Sequence, residues 1–225
     1  MDPRDKIVLA HRGCYNNECR TKYQENSREV CAVSTTKDYI KIIELDLRKS
    51  KEGILYCHHG PIIQYFTILK FPQKLSNLKE KYNVNSLEEI LNVITEDKII
   101  FLDIKDSSVT REDILAAFSG RNFKEVILGN KSVSYLKRFD NMPEKFVKKL
   151  SGNPFCNFYN IEKLKKNNFK YFEVVFPFQI NQKIVNEVHA NNMEFKLWGP
   201  LSSNKEGIWN KINKHNIRHI SSRFI

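Results

Sequence analysis

Ile40-Lys41-Ile42-Ile43-Glu44-Leu45-Asp46-Leu47 is the stretch on which the fold turns. Its β-branched and leucine side chains predict a strand. Strand side chains alternate, so Glu44 and Asp46 share one face while Ile43, Leu45 and Leu47 share the other. The same design recurs outward along the chain. Residues 6–10, 99–104, 125–128, 145–150, 171–176, 194–198 and 218–221 read as further strands, rich in Val, Ile, Phe and Tyr and flanked by turn residues. Helical patterns lie between them at 25–34, 86–94, 111–118, 132–139, 161–167, 182–190 and 205–214, and the second opens with a Ser86/Glu89 capping box. An extra strand at 54–57 follows the Glu52-Gly53 turn and reads as a short β-hairpin arm after the second main strand.

Alternating strands and helices imply a parallel sheet. Eight such units predict a single (β/α)8 TIM barrel spanning one domain, residues 1–225. The chain is short for that fold, typically about 250 residues, so its loops must be lean. An open doubly wound sheet is the alternative, because strand count alone does not close a sheet.

Composition narrows the function classes. With 41% hydrophobic and 28% charged residues the chain is ordinary for a globular protein, and it holds no apolar run long enough to span a membrane. The start, Met1-Asp2-Pro3-Arg4-Asp5, lacks the features of a signal peptide, so a cytoplasmic location is expected. The net charge of +11 suits an anionic partner. The lysines are nevertheless dispersed, with only small clusters such as Lys163-Leu164-Lys165-Lys166, and no nucleic-acid motif accompanies them. No specific nucleic acid is expected. The five cysteines (14, 19, 31, 57 and 156) form no C-x-x-C pair, which predicts reduced structural thiols rather than a zinc site.

In a barrel the active site lies at the C-terminal strand ends. The first strand ends in His11-Arg12-Gly13, the second in Glu44-Leu45-Asp46 and the third in Asp103-Ile104-Lys105, while the hairpin carries His58-His59. Three converging carboxylates repel one another without a cation between them, and oxygen-only ligation favours Mg²⁺ or Ca²⁺. Arg12 and Lys105 suit a phosphate. Two histidines suit general base and acid. Taken singly, an E-x-D is more often a solvated edge, a strand-end His a structural residue and a D-x-K a plain ion pair. Their placement at successive strand ends is what makes them a phosphodiester-cleaving constellation.

These residues together resemble the glycerophosphodiester phosphodiesterase family, and the match runs over nearly the whole chain. The family's H-R-G is His11-Arg12-Gly13, and its P-E-N-T is Gln24-Glu25-Asn26-Ser27. Its E-x-D is Glu44-Leu45-Asp46, and its hairpin motif runs from Glu52-Gly53 to His59-Gly60. Its E-I-K is Asp103-Ile104-Lys105, and Lys196-Leu197-Trp198 resembles a late tryptophan-bearing segment. The resemblance implies that His11 and His59 are the acid/base pair and that Glu44, Asp46 and Asp103 hold a divalent cation. It also implies that Arg12 and Lys105 bind the phosphate, that Trp198 lines the alcohol side and that Glu25 supports the ligands. The implied reaction releases glycerol 3-phosphate and an alcohol from a small glycerophosphodiester. A glycerol hydroxyl attacks first, and water then opens a cyclic phosphate.

The chain departs from the family at several positions. Asp103 stands for Glu, Gly60 for Asp, Asn130 for an aromatic residue and Ser221-Ser222 for Thr-Asp. The segment from Gly60 to Leu102 leaves little room for the inserted cap of many members. The apolar run Ile62-Ile63-Gln64-Tyr65-Phe66-Thr67-Ile68-Leu69 raises a lysophospholipase D-type activity on lysophospholipid substrates, or membrane contact, although burial against the barrel is its ordinary fate. A catalytically inactive phosphate-binding barrel is the remaining alternative, prompted by Gly60 and Asp103. The oligomeric state is not legible.

Overall fold

In the computed structural model of the protein, which describes residues 6–60, 73–151, 161–174, 180–197 and 205–221, the opening stretch forms the longest described strand, β2 (Ile40–Lys49). It follows β1 (Ile7–Ala10). Next come the hairpin arm β3 (Leu55–Cys57), a two-residue β4 (Asn85–Ser86) and β5 (Ile99–Ile104). The later strands are β6 (Val126–Asn130), β7 (Phe146–Leu150), β8 (Phe169–Val174), β9 (Glu194–Leu197) and β10 (His219–Ser221).

Eight of these run parallel in the order β1, β2, β5, β6, β7, β8, β9, β10, and β10 pairs back onto β1. That last ladder closes the barrel and removes the open-sheet alternative. β3 lies antiparallel on the end of β2, as the hairpin reading expected, and β4 adds a further antiparallel pair beyond it.

Boundaries moved where caps decide them. The expected helix at 25–34 begins at Arg28, because Ser27 accepts the Val30 amide at 3.2 Å as N-cap and Asn26 sits at φ +60. The expected helix at 132–139 is a short α-turn, Val133–Leu136, followed by a 3₁₀ turn, Lys137–Phe139. The capping box at Ser86 and Glu89 is present. A helix at Leu75–Tyr82 was not foreseen. It buries Leu78 with Tyr56 and Val84 beneath the hairpin.

The alternation within strands sorts the two cores. Ile43, Leu45, Leu47, Leu102 and Ile104 face outward into the large layer between sheet and helices. Leu9, Ile42, Phe101, Ile127 and Tyr171 point inward and fill the lower barrel. Gly129 makes room in that interior. A Cβ there would lie 2.4 Å from Phe101 Cε2 and 2.7 Å from Ser151 Oγ.

Cys14, Cys19, Cys31 and Cys57 are buried thiols outside any disulfide, as expected. Cys156, Trp198, Ser222 and the run Ile62–Leu69 lie outside the described residues. Among the described residues, no helix is long and apolar enough to cross a membrane.

Candidate active site at the barrel mouth

Above the apolar floor the inward positions turn polar. β1 ends in a tight turn in which Arg12 has φ +54 and Gly13 φ +78. A side chain at Gly13 would meet Val30 Cγ1 at 2.7 Å, so the left-handed turn can press this close to the first long helix only with glycine. The turn aims the Arg12 backbone N–H at Glu44 Oε2, 2.5 Å away.

Glu44, Asp46 and Asp103 present oxygens that all lie within 4.8 Å of one another. β2 and β5 are paired with Asp46 opposite Asp103, which is why the E-x-D and D-x-K motifs meet. Asp46 accepts from Asn26 Nδ2 at 2.9 Å and lies 3.3 Å from Arg12 Nε and 3.1 Å from Lys105 Nζ. Asp103 accepts from Ser151 Oγ at 2.9 Å and is also bonded by Lys105.

Burial, reinforced by Asp46 and Asp103, pushes the Glu44 carboxyl up to about 8. Burial alone would raise Asp103 as well, but Lys105 and Lys149 hold it below the usual carboxylate range. Burial opposes the Lys105 charge, yet Asp103 and Asp46 outweigh it and raise that ammonium. The donor set is all oxygen, with Glu44 and Asp46 buried and Asp103 half-buried, and in it burial and two neighbouring carboxylates keep the proton on Glu44. Those residues fit a hard divalent cation.

The proton on Glu44 has a measurable consequence. The unfolded chain loses it near 4.5 and the folded chain near 8. This contribution to stability is therefore complete below about 4.5 and is lost as the pH rises towards 8. A cation would take the proton's place. The gain in Tm on adding Mg²⁺ is expected to grow across that window and to be much smaller in Glu44→Gln. A gain independent of pH would show that no cation replaces this proton.

The two histidines differ in their ring contacts. His11 Nδ1 lies 3.1 Å from Arg20 Nη2, and a guanidinium can only donate, so Nδ1 accepts and Nε2 carries the hydrogen. That Nε2 is 4.0 Å from Glu44 Oε2. His59 Nδ1 lies 2.9 Å from the Gly60 carbonyl, which can only accept, so Nδ1 carries the hydrogen and Nε2 the lone pair. Burial lowers the His59 pKa, with the Asp46 charge acting against it. The ring of His59 is thus oriented by the carbonyl of Gly60, whose φ of +82 suits glycine. His58 turns its ring onto Tyr82, 5.6 Å between centroids.

Of the candidates, His11, Arg12, Glu25, Glu44, Asp46, His59, Asp103 and Lys105 gather at one mouth. Glu25 bridges Arg12 at 2.7 Å and Arg20 at 2.5 Å. Arg12, Arg20, Glu25, Asn26, His58 and His59 line a pocket of about 340 Å³. Asn130, in place of the family's aromatic residue, ties the turn after β6 by donating to the Ile104 carbonyl at 2.7 Å.

Four contributors were missed. Arg20 sits in a one-turn helix, Cys19–Lys22, too short to show a period in the sequence, and Asn26 lies inside a quoted motif without a role assigned to it. Lys149 and Lys196 are almost fully buried in the barrel beneath the carboxylates, with their ammonium groups 4.0 and 4.4 Å from the Phe101 ring centre. Glu173 pairs with Lys149 at 2.6 Å. Charged residues at inward positions of three late strands were the signal available in the sequence.

No family profile and no curated protein matches the chain. Solved structures do. The glycerophosphodiester phosphodiesterase of Thermotoga maritima aligns with 20% identity and a TM-score of 0.71, covering 97% of this chain and 95% of that one. The chain shares the fold of that phosphodiesterase. The enzyme of the same description from Agrobacterium tumefaciens aligns at 14% identity with a TM-score of 0.72, covering 97% of each chain. At these identities the likeness concerns the barrel, and the chemistry must be argued from the site.

Proposed function

We propose that the protein is a metal-dependent phosphodiester hydrolase that cleaves small glycerophosphodiesters to glycerol 3-phosphate and an alcohol. The observation that carries this reading is the convergent carboxylate trio, two of its members buried, beside two histidines held in opposite tautomers. Glu44, Asp46 and Asp103 would hold Mg²⁺ or Ca²⁺, which supplies positive charge for the phosphoryl oxygens. Arg12 and Lys105 orient the phosphate from either side of Asp46. His59 Nε2 accepts the proton of the attacking glycerol hydroxyl, and His11 Nε2 gives its proton to the departing alcohol. A neutral imidazole is a weak acid, and the Arg20 guanidinium at Nδ1 favours the ring that has lost this proton. When water opens the cyclic phosphate, His11 regains a proton from it and His59 returns its own to the reopened hydroxyl.

The test is release of glycerol 3-phosphate from glycerophosphocholine and glycerophosphoethanolamine with Mg²⁺, Ca²⁺, Mn²⁺ or EDTA. Turnover is expected only with a divalent ion and should fall by about 10² to 10⁴ in His11→Ala. Turnover that survives EDTA, or His11→Ala at full rate, would overturn this assignment. Cleavage of lysophospholipid in preference to both substrates would move it to the lysophospholipase D type.

A further inference from the structure

Beside the mouth, on the side of β2, β5 and β6, lies a second pocket of about 440 Å³. That is within the roughly 300–1,000 Å³ of small-molecule sites. Its walls carry Arg48, Lys49, Lys105 and one carboxylate, Asp106; of these cations Lys49 is paired with Asp113 at 2.7 Å and Lys105 with Asp46 and Asp103. The Asp106 carboxylate is turned to the backbone, accepting from the Ser108 amide at 2.9 Å and the Lys49 amide at 3.3 Å. Most of the remaining lining is neutral and hydrogen-bonding, including Ser107, Ser108, Asn130 and Ser132. Two further cations stand nearby. Arg138 donates to the Ser107 carbonyl at 3.1 Å, and Lys131, between two lining residues, is exposed.

The pocket shares walls with the reaction centre. Lys105 Nζ reaches Asp46 Oδ1 at 3.1 Å. Arg48 donates to the carbonyls of His58 and His59 at 2.9 and 3.0 Å. A substrate whose phosphorus lies over the carboxylates can therefore extend one substituent past Lys105 into this space. The hydroxyl and amide lining suits a polyol, and Arg48, with Arg138 and the exposed Lys131 at the rim, suits an anion on it.

We propose that this side pocket receives an anionic, hydroxyl-rich head group, a phosphorylated polyol, on the leaving alcohol. The proposal rests on the phosphodiesterase reading above and narrows its substrate class. Glycerophosphoinositol and glycerophosphoinositol 4-phosphate differ only by the phosphate the pocket would hold. With the phosphorylated substrate kcat/KM is expected to be about tenfold higher or more at low salt, and the advantage should shrink as salt rises.

Ser132→Asp places a carboxylate in the pocket without removing the N-cap, since Ser132 Oγ accepts the Tyr135 amide and aspartate caps as well as serine. In this variant the ratio should fall towards one while turnover of the unphosphorylated substrate is kept. Calorimetric binding of inositol 1,4-bisphosphate, run alongside, separates the two readings. Binding weakened tenfold by Ser132→Asp, in a protein that turns over neither substrate, would remove the hydrolase and support the pocket. Turnover with a ratio near one, or a ratio indifferent to Ser132→Asp, would overturn the pocket and leave the hydrolase.

Discussion

His59→Ala is expected to lower kcat by about 10² to 10⁴, the usual worth of a positioned general base, while His58→Ala stays within a small factor of the parent. The two are neighbours in sequence, and burial lowers the pKa of both, so neither charge nor position in the chain separates them. Their partners do. His58 spends its ring on Tyr82, so its loss should cost stability, of the order of the ~0.5–1.5 kcal/mol of an aromatic pair. The Nδ1 of His59 is held by a carbonyl, which leaves a basic Nε2 at the mouth. Because a base works only when deprotonated, kcat/KM should fall as the pH drops through a value below the usual 6.5, and stay level above it on that account. Steady-state kinetics on both variants between about pH 5 and 8 decide the matter. A larger loss in His58→Ala would give the role to His58 instead.

Glu173→Gln is expected to destabilise the protein by about 3–5 kcal/mol, because it strips a buried ammonium of its counter-ion. Lys149 would keep the face of Phe101 and the charge of Asp103 above it, with Lys196 close enough to repel it. Lys196 differs. Burial and the Lys149 charge push its pKa down to about 7, so near neutrality it carries only part of a charge. Lys196→Met should therefore be neutral or stabilising, since exchanging a buried ion for an apolar side chain of similar volume often is. Urea unfolding followed by circular dichroism reads both variants. A cost below about 1 kcal/mol for Glu173→Gln would mean that this layer is not held by a charged pair.

Much of the architecture was legible because it depends on local alternation. The inward face of β2 carries Glu44 and Asp46 whatever lies opposite, since side chains two apart on a strand must share a face. Helix ends were less legible. The start at Arg28 depends on the left-handed turn at Asn26 and the Ser27 cap, which outweigh the good helix formers before them. The helix at Leu75–Tyr82 is short and lysine-rich, and its one fully buried residue, Leu78, acquires meaning only beneath the hairpin.

By itself the sequence determined the order of the eight barrel strands and of most helices between them, the face the carboxylate-bearing strands turn inward, and which strand ends carry carboxylates, cations and histidines. These follow from periodicities of two and 3.6 residues, which any short window displays. Only the tertiary structure decided that β10 returns to β1, that the Gly60 carbonyl orients His59 and that Arg20 faces His11. The burial of Lys149, Glu173 and Lys196 in one layer under the carboxylates belongs to the same class. Each of these depends on the distance between residues remote in sequence or on a local backbone turn. Such distances are set by closure of the barrel, which brings every inward side chain to a common axis and which no single strand encodes.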